Sequence, residues 1–123
     1  MDTIGDERVG YLDPNECVVE ATLDLIGGKW KGVILYHLGE GRLRFNELRR
    51  RLGAVTQRML TKQLRELEAD GLVVRTVYAE VPPRVEYALS ASGESLAPVI
   101  AALKAWGKAN IAGRPRRAVR DAA

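Results

Sequence analysis

Leucines recur between residues 56 and 71 at a spacing that places them on one side of a helix. Leu60, Leu64 and Leu67 follow one another at intervals of four and three residues, which is the period of a buried helix face. Thr56 is suited to cap the start of such a helix, and Gly71 is suited to the left-handed turn that ends one. The pattern therefore predicts a capped, two-faced helix over this segment.

The other face of this helix is polar and basic. Arg58, Lys62 and Arg65 repeat at the same spacing as the leucines, and Gln57 and Thr61 lie beside them. The acids of the segment come only in its last turns: Glu66, Glu68 and Asp70. A helix that enters a DNA groove by its N-terminal half keeps acids away from phosphate in this manner. An ordinary surface helix with a solvated basic face is the alternative.

Two strand-forming runs follow the helix directly. Residues 72–78 are rich in valine, and residues 85–89 alternate apolar and small or polar side chains, which is typical of half-buried strands. Pro82 and Pro83 between them exclude a two-residue hairpin and stiffen a longer loop. Arg84 stands where this loop returns, a position suited to a narrow minor groove or to backbone phosphates. The runs predict a β-wing behind the helix.

The preceding segments read as a helical scaffold. The pattern predicts helices at Cys17 to Ile26 and at Trp30 to Leu38, and a short strand at Leu43 to Phe45. Asn46 is expected to cap a further helix at Glu47 to Leu52. This short helix, a tight turn and the helix from Thr56 form the pattern of a helix-turn-helix.

Basic charge is concentrated on the same part of the chain. Residues 42–65 hold eight arginines and lysines against one acid, a net charge of +7 in a chain whose total is +3. Lys29 and Lys31 begin a helix whose dipole they oppose, and phosphate contact would account for them. Such a footprint favours a nucleic-acid surface. The predicted DNA-contacting residues are Lys29, Lys31, Asn46, Arg49, Thr56, Gln57, Arg58, Thr61, Lys62, Arg65 and Arg84.

The last predicted helix follows Ser90 or Ser92, either of which can cap it. Its apolar side chains form one stripe, and Pro98 should kink the helix or displace its first turns. The stripe either folds back on its own domain or pairs with a second copy of the chain, and we favour pairing. On this helix the predicted dimer interface consists of Leu96, Ile100, Leu103 and Trp106.

Composition limits the possible classes. The chain has 123 residues, 46% of them hydrophobic, which suits one domain at residues 17–111 with a small core. Residues 1–16 form an acidic arm without the apolar core of a signal peptide, and residues 112–123 form a basic tail that we expect to be disordered. With one cysteine, one histidine and no apolar run of membrane length, we expect a cytoplasmic protein without cofactor, metal site or enzymatic activity.

Four motifs together resemble one known family. GGKW, RFNEL, LTKQLRELEADGLV and VPPRVEY are similar to segments of the HxlR-type winged-helix transcriptional regulators, and the likeness runs from about Cys17 to Trp106. It implies a mainly α fold with a small β-wing (α+β). It also implies a bacterial homodimer that pairs through its first and last helices, which adds Val18 to the predicted dimer interface. It further implies that the helix from Thr56 reads the major groove and that the loop around Pro82 is the wing.

The same resemblance draws attention to Cys17. Some members of the family sense oxidants or electrophiles through a cysteine near the N-terminus, so the likeness implies a candidate redox role for this thiol. A small apolar side chain buried at a helix start is the alternative.

The function predicted from all these features is sequence-specific DNA binding. A homodimer on a pseudo-palindromic operator would repress, or less often activate, a neighbouring gene. A winged helix used as a protein-interaction module and a non-specific architectural DNA binder are the competing classes. The sequence names neither the operator nor any small-molecule effector.

Overall fold

The computed structural model describes residues 17–115 as six helices and three strands. The predicted acidic arm, residues 1–16, and residues 116–123 of the predicted tail lie outside the described residues. No helix in the described part of the chain is long and apolar enough to cross a membrane. The elements are α1 (Val18–Ile26), α2 (Lys31–Leu38), β1 (Leu43–Arg44), α3 (Phe45–Leu52), α4 (Gln57–Ala69), β2 (Val73–Tyr78), β3 (Arg84–Leu89), α5 (Ala91–Glu94) and α6 (Ala97–Asn110).

The strands form one antiparallel sheet in the order β1-β3-β2. β2 and β3 pair along their whole length, from Val73 opposite Leu89 to Tyr78 opposite Arg84. Residues 79–83 connect them, so the predicted long, proline-containing loop is confirmed. β1 joins the other edge of β3 through Leu43, which lies opposite Tyr87. The hairpin therefore projects from α4 as the predicted wing.

The core lies between α4, α2 and the sheet. Leu60, Leu64 and Leu67 are at most 1% exposed, which confirms the predicted inward face of α4. Ile34 and Leu35 of α2 pack against them in the same cluster. Burying an aliphatic side chain of this size contributes about 1.5–3 kcal/mol relative to leaving it in water. The side chains that share the core fix how α4 is presented to solvent.

Both ends of α4 carry the predicted caps. The hydroxyl of Thr56 accepts a hydrogen bond from the Met59 amide at 3.0 Å. At the other end Gly71 has φ +79°, a left-handed conformation that glycine adopts without steric cost. The Leu72 amide then donates to the Leu67 carbonyl at 3.0 Å, which completes a Schellman turn. These bonds delimit the helix as the sequence predicts.

The start of α3 differs from the prediction. The helix begins at Phe45, with Arg44 in the capping position, so the prediction that Asn46 caps it is wrong. The carboxylate of Glu47 accepts a hydrogen bond from the Arg44 amide at 2.8 Å. Glu47 lies three residues after Arg44, where an acidic side chain can turn back to the first amide. Asn46 is thus left exposed in the first turn of α3.

The last helical segment is divided in two. Ser90 caps α5 by accepting a hydrogen bond from the Gly93 amide at 3.0 Å, and Pro98 lies in the first turn of α6. Proline has no N–H to donate to the carbonyl four residues earlier, so a continuous helix through Pro98 is unfavourable. The prediction that Pro98 displaces the first turns is confirmed.

Candidate nucleic-acid interface

The outward face of α4 is open to solvent. Gln57, Arg58, Lys62 and Arg65 are exposed, and Thr61 is half-buried. The Thr61 hydroxyl donates to the Gln57 carbonyl at 2.8 Å, which keeps its methyl group and oxygen near the helix surface. Since the opposite face is locked in the core, these side chains project from a rigid element.

A cleft separates α4 from the wing sheet. Its volume is about 430 Å³, and Gln57, Thr61 and Arg65 lie at its α4 wall. The same three residues also border the outer surface of α4. Arg75 of β2 lines the facing wall and is exposed. Arg75 was absent from the predicted contacts, although an arginine on a valine-rich strand is a signal that was available in the sequence.

The exposed side of α3 lies beside α4 and is also basic. Arg49 and Arg50 are exposed, as is Asn46. Arg51 is engaged within the chain, because its guanidinium lies 2.6 Å from the Glu40 carboxylate. A first helix that carries solvated cations next to the second is suited to contact the phosphate backbone.

The two predicted lysines before and at the start of α2 have different surroundings. Lys29 is exposed, and its ammonium lies 5.3 Å from the centre of the Trp30 ring. The Lys31 ammonium lies 2.8 Å from a carboxylate oxygen of Glu66, and its side chain is only 13% exposed. Lys31 therefore has a carboxylate partner inside the protein, and its contact with phosphate stays a prediction.

Glu66 lies within the basic face of α4. It borders the same outer surface as Arg58 and Lys62, although it lies toward the C-terminal end of the helix, as the sequence indicates. A hydrogen bond and charge from Lys31 lower the pKa of Glu66 below its ordinary value of 4.5. Glu66 is consequently a carboxylate at neutral pH.

In the wing, the predicted contact Arg84 is held by its neighbours. Its guanidinium lies 4.0 Å from the centre of the Tyr78 ring and 3.1 Å from the Glu80 carboxylate. A second carboxylate, that of Glu86, lies at 3.7 Å, and Arg84 is 30% exposed. The arginine thus fastens the two strands where the loop begins, while Val81 within that loop is fully exposed.

The predicted dimer-interface residues fall into two groups. Leu96 and Ile100 pack against the core of their own chain. Val18 is 53% exposed, Leu103 54% and Trp106 61%. The sequence left open whether the apolar stripe of the last helix folds back on its own domain or pairs with a second copy. In the structure its first part, at Leu96 and Ile100, packs against the core, and its later part, at Leu103 and Trp106, is exposed.

Cys17 is exposed and immediately precedes α1. The alternative of a buried, apolar cysteine is therefore wrong. The thiol is accessible to a soluble reagent in the single chain.

A helix-turn-helix with a basic, solvent-facing second helix and an attached β-hairpin defines a winged-helix DNA-binding protein. The family model described as HxlR-like helix-turn-helix matches residues 25–114. The chain belongs to this family, as the sequence motifs indicate.

Curated relatives support the same assignment. The chain is 56% identical over 100 residues to the uncharacterised HTH-type transcriptional regulator YybR of Bacillus subtilis strain 168, covering 81% of this chain and 80% of YybR. It is 60% identical over 92 residues to YdeP of the same organism, covering 75% of this chain and 72% of YdeP. Both are HTH-type transcriptional regulators rather than enzymes.

Solved structures share the fold. The redox regulator HypR in its oxidised form superposes with a TM-score of 0.73 and 58% identity, covering 76% of this chain and 97% of HypR. The reduced form of the regulator YodB from B. subtilis gives a TM-score of 0.70 and 30% identity, covering 85% of this chain and all of that one. The protein is therefore a DNA-binding transcriptional regulator.

Proposed function

We propose that the protein acts as a homodimer that represses a neighbouring gene from a pseudo-palindromic operator. The observation that carries this proposal is the uncovered apolar surface of the terminal helices, with Val18 on α1 and Leu103 and Trp106 on α6 more than half exposed. Apolar side chains left exposed on both terminal helices can form an interface when a second copy of the chain covers them. A dimer would place two copies of α4 in successive major grooves, roughly 34 Å apart. Its site of action would be the cytoplasm, beside the chromosome.

In this proposal the N-terminal half of α4 reads base edges. Arg58 and Lys62 are suited to guanine, and Gln57 to adenine. Thr61 lies between them. Phosphates would be contacted by groups without an internal carboxylate partner in residues 17–115: Lys29, Asn46, Arg49, Arg65 and the amide end of α4 at Thr56.

The wing has a supporting role in the same proposal. Arg84 holds the hairpin through Tyr78, Glu80 and Glu86, which fixes where the exposed tip lies relative to α4. Arg75 is the wing cation that faces α4 across the cleft. We therefore assign Arg75 to the DNA surface and Arg84 to positioning the wing beside DNA.

Cys17 supplies a candidate redox input. Its exposure and its place directly before α1 support the proposal, and HypR and YodB, similar in fold, are known in oxidised or diamide-treated forms as well as reduced ones. Two Cys17 thiols of a dimer would form a disulfide and give up two protons and two electrons, which an azo reagent such as diamide accepts. Because Cys17 borders α1, this bond would change how the two copies of α4 are spaced.

The experiment is a fluorescence-anisotropy titration of the chain's own promoter region and of a random duplex, with sedimentation analysis alongside. We expect a dimer that prefers the promoter duplex. Equal affinity for both duplexes would favour an architectural DNA binder, and binding as a monomer would remove the dimer from the proposal.

The redox part is tested in the same assay. Diamide should change the promoter affinity of the wild type and leave that of Cys17→Ser unchanged. An equal response of both proteins would contradict a role for Cys17, since the chain has no other cysteine.

A further inference from the structure

Lys31 and Glu66 form a bridge between two helices that otherwise meet through apolar side chains. Lys31 is the first residue of α2, and Glu66 lies in the last third of α4. The ammonium and carboxylate are 2.8 Å apart, and the Lys31 side chain is 13% exposed while that of Glu66 is 42% exposed. A lysine side chain that is covered to this degree has few alternative positions, so the packing around it holds its ammonium beside Glu66.

Glu66 also faces a second cation. Its other carboxylate oxygen lies 3.8 Å from the Lys62 ammonium, one turn earlier on α4. Glu66 is the one acid among the side chains that border the outer surface of α4 in residues 17–115, namely Gln57, Arg58, Thr61, Lys62, Arg65 and Glu66. One carboxylate therefore lies within ion-pair distance of Lys31 and Lys62, both of which the sequence predicts to contact DNA.

We propose that Glu66 is a specificity-determining residue that ties α4 to α2 and withholds Lys31 and Lys62 from non-specific phosphate contact. The inference rests on the proposed function, because it assumes that α4 reads base edges. In this view Lys31 is a positioning residue for α4 rather than a phosphate ligand.

The physical reason lies in how the two kinds of DNA binding depend on charge. Non-specific binding comes almost entirely from cations that neutralise phosphates and release counterions, whereas base reading requires side chains held in one orientation. A phosphate that approaches Lys31 or Lys62 meets the carboxylate of Glu66. The same carboxylate resists rotation of α4 about its axis through the bond to Lys31. Glu66 thus weakens the first kind of binding and supports the second.

Replacing Glu66 by glutamine keeps the shape and removes the charge. Each lysine that turns to a phosphate adds about 0.9 to the slope of log affinity against log salt, which at physiological salt is a gain on the order of fivefold. Glu66→Gln frees both Lys31 and Lys62, so we expect it to bind a random duplex about twenty-fivefold more tightly, with a salt slope steeper by about 1.8. The promoter duplex should gain less, so that the preference for the promoter falls several-fold.

Lys31→Gln distinguishes the two roles of the lysine. A phosphate ligand would lose affinity for both duplexes, with a salt slope lower by about 1. If Lys31 instead holds α4 against α2, Lys31→Gln should leave the salt slope on the random duplex unchanged and reduce the preference for the promoter duplex. In the double variant Lys31→Gln, Glu66→Gln, only Lys62 remains to be released, so the gain on random DNA should be smaller than in Glu66→Gln, a coupling that a double-mutant cycle measures.

Asp70→Asn is the matched control. Asp70 is an exposed acid at the C-terminal cap of α4, outside the cleft and the outer surface described above, and within residues 17–115 it belongs to no ion pair. Its replacement changes the net charge equally, so a general charge effect would appear in both variants. We expect Asp70→Asn to retain the wild-type preference to within about twofold, because long-range effects of one solvent-exposed charge are screened by salt.

The experiment is an anisotropy titration of the four variants and the wild type on promoter and random duplexes at several salt concentrations. An unchanged preference in Glu66→Gln, an equal loss of preference in Asp70→Asn, or a lower salt slope on random DNA in Lys31→Gln would overturn the inference. If the wild type itself shows no promoter preference, the proposed function fails instead. The two failures are therefore distinguishable.

Discussion

Helices α4 and α6 carry apolar side chains at similar spacing, yet these side chains have different surroundings. Leu64 of α4 is 1% exposed, whereas Leu103 of α6 is 54% exposed. The inward face of α4 is covered by α2 and the sheet of the same chain, while α6 gives only Leu96 and Ile100 to that core. The apolar spacing of a helix thus predicts that one of its faces will be covered, but it does not indicate whether the same chain or another chain covers that face.

The largest expected effect is a loss of stability caused by a cavity in the buried face of α4. Leu64→Ala removes buried carbons and leaves a cavity, for which we expect a loss of about 2–5 kcal/mol in the free energy of unfolding. Leu103→Ala makes the same change on α6 and should shift the stability of the single chain by about 0.5 kcal/mol or less. Urea denaturation at low protein concentration measures both. Equal losses would remove the distinction between the two helices.

The next effect concerns the uncovered face. Trp106 is 61% exposed, and a tryptophan at the centre of an interface costs about 2 kcal/mol or more when truncated, roughly thirtyfold in the dimer dissociation constant. We expect Trp106→Ala to sediment as a monomer at concentrations where the wild type is dimeric. Val77→Ala is the control, because Val77 is 52% exposed on the wing and should leave the dimer intact.

A smaller effect is expected on the charged face of α4. Arg58→Ala should cost about 1–3 kcal/mol on the promoter duplex if the arginine reads a guanine, and less on a random duplex. Arg50→Ala removes the same charge from the exposed side of α3 and should weaken both duplexes alike. Anisotropy titrations give, for each variant, the ratio of its affinity for the promoter duplex to its affinity for the random duplex. Equal losses of Arg58→Ala on both duplexes would exclude it from base reading.

The smallest effect is a pH dependence of stability from Glu66. Its pKa is lowered in the folded protein, first by the hydrogen bond from Lys31 and then by the charges of Lys31 and Lys62. A lowered folded pKa means that the contribution is present above the unfolded value of 4.5 and is lost as pH falls through the folded pKa. The wild type should therefore lose stability relative to Glu66→Gln in that acid range, as measured by urea denaturation. A constant difference across the range would contradict the ion pair.

Much of the interface follows from local patterns. The leucine repeat identifies the inward face of α4, and Thr56 and Gly71 form the predicted caps because capping depends on residues within one turn. The valine runs and the two prolines predict the wing for the same reason. The prediction placed the cap of α3 at Asn46 because asparagine commonly caps helices. In the structure the carboxylate of Glu47 accepts the hydrogen bond of the Arg44 amide three residues earlier, and the helix begins at Phe45.

Charged side chains were harder to assign, since their partners lie far away in the sequence. Lys31 meets Glu66 across two helices, and Arg84 meets Glu80 and Glu86 only when the hairpin closes. A count of charges along the chain indicated a basic segment but could not distinguish a cation that faces solvent from one already paired. That distinction decides which lysines and arginines remain available to phosphate.

The sequence by itself therefore determines the local structure of this chain. The two faces and the ends of α4, the strands of the wing and the break before α6 all follow from periodicity, capping and proline chemistry within a few residues. The packing of α2 against α4 brings Lys31 to Glu66, and the placement of α6 gives Ile100 to the core and Trp106 to solvent. These pairings depend on how whole helices are oriented, which is fixed by the sum of many apolar contacts rather than by any local signal.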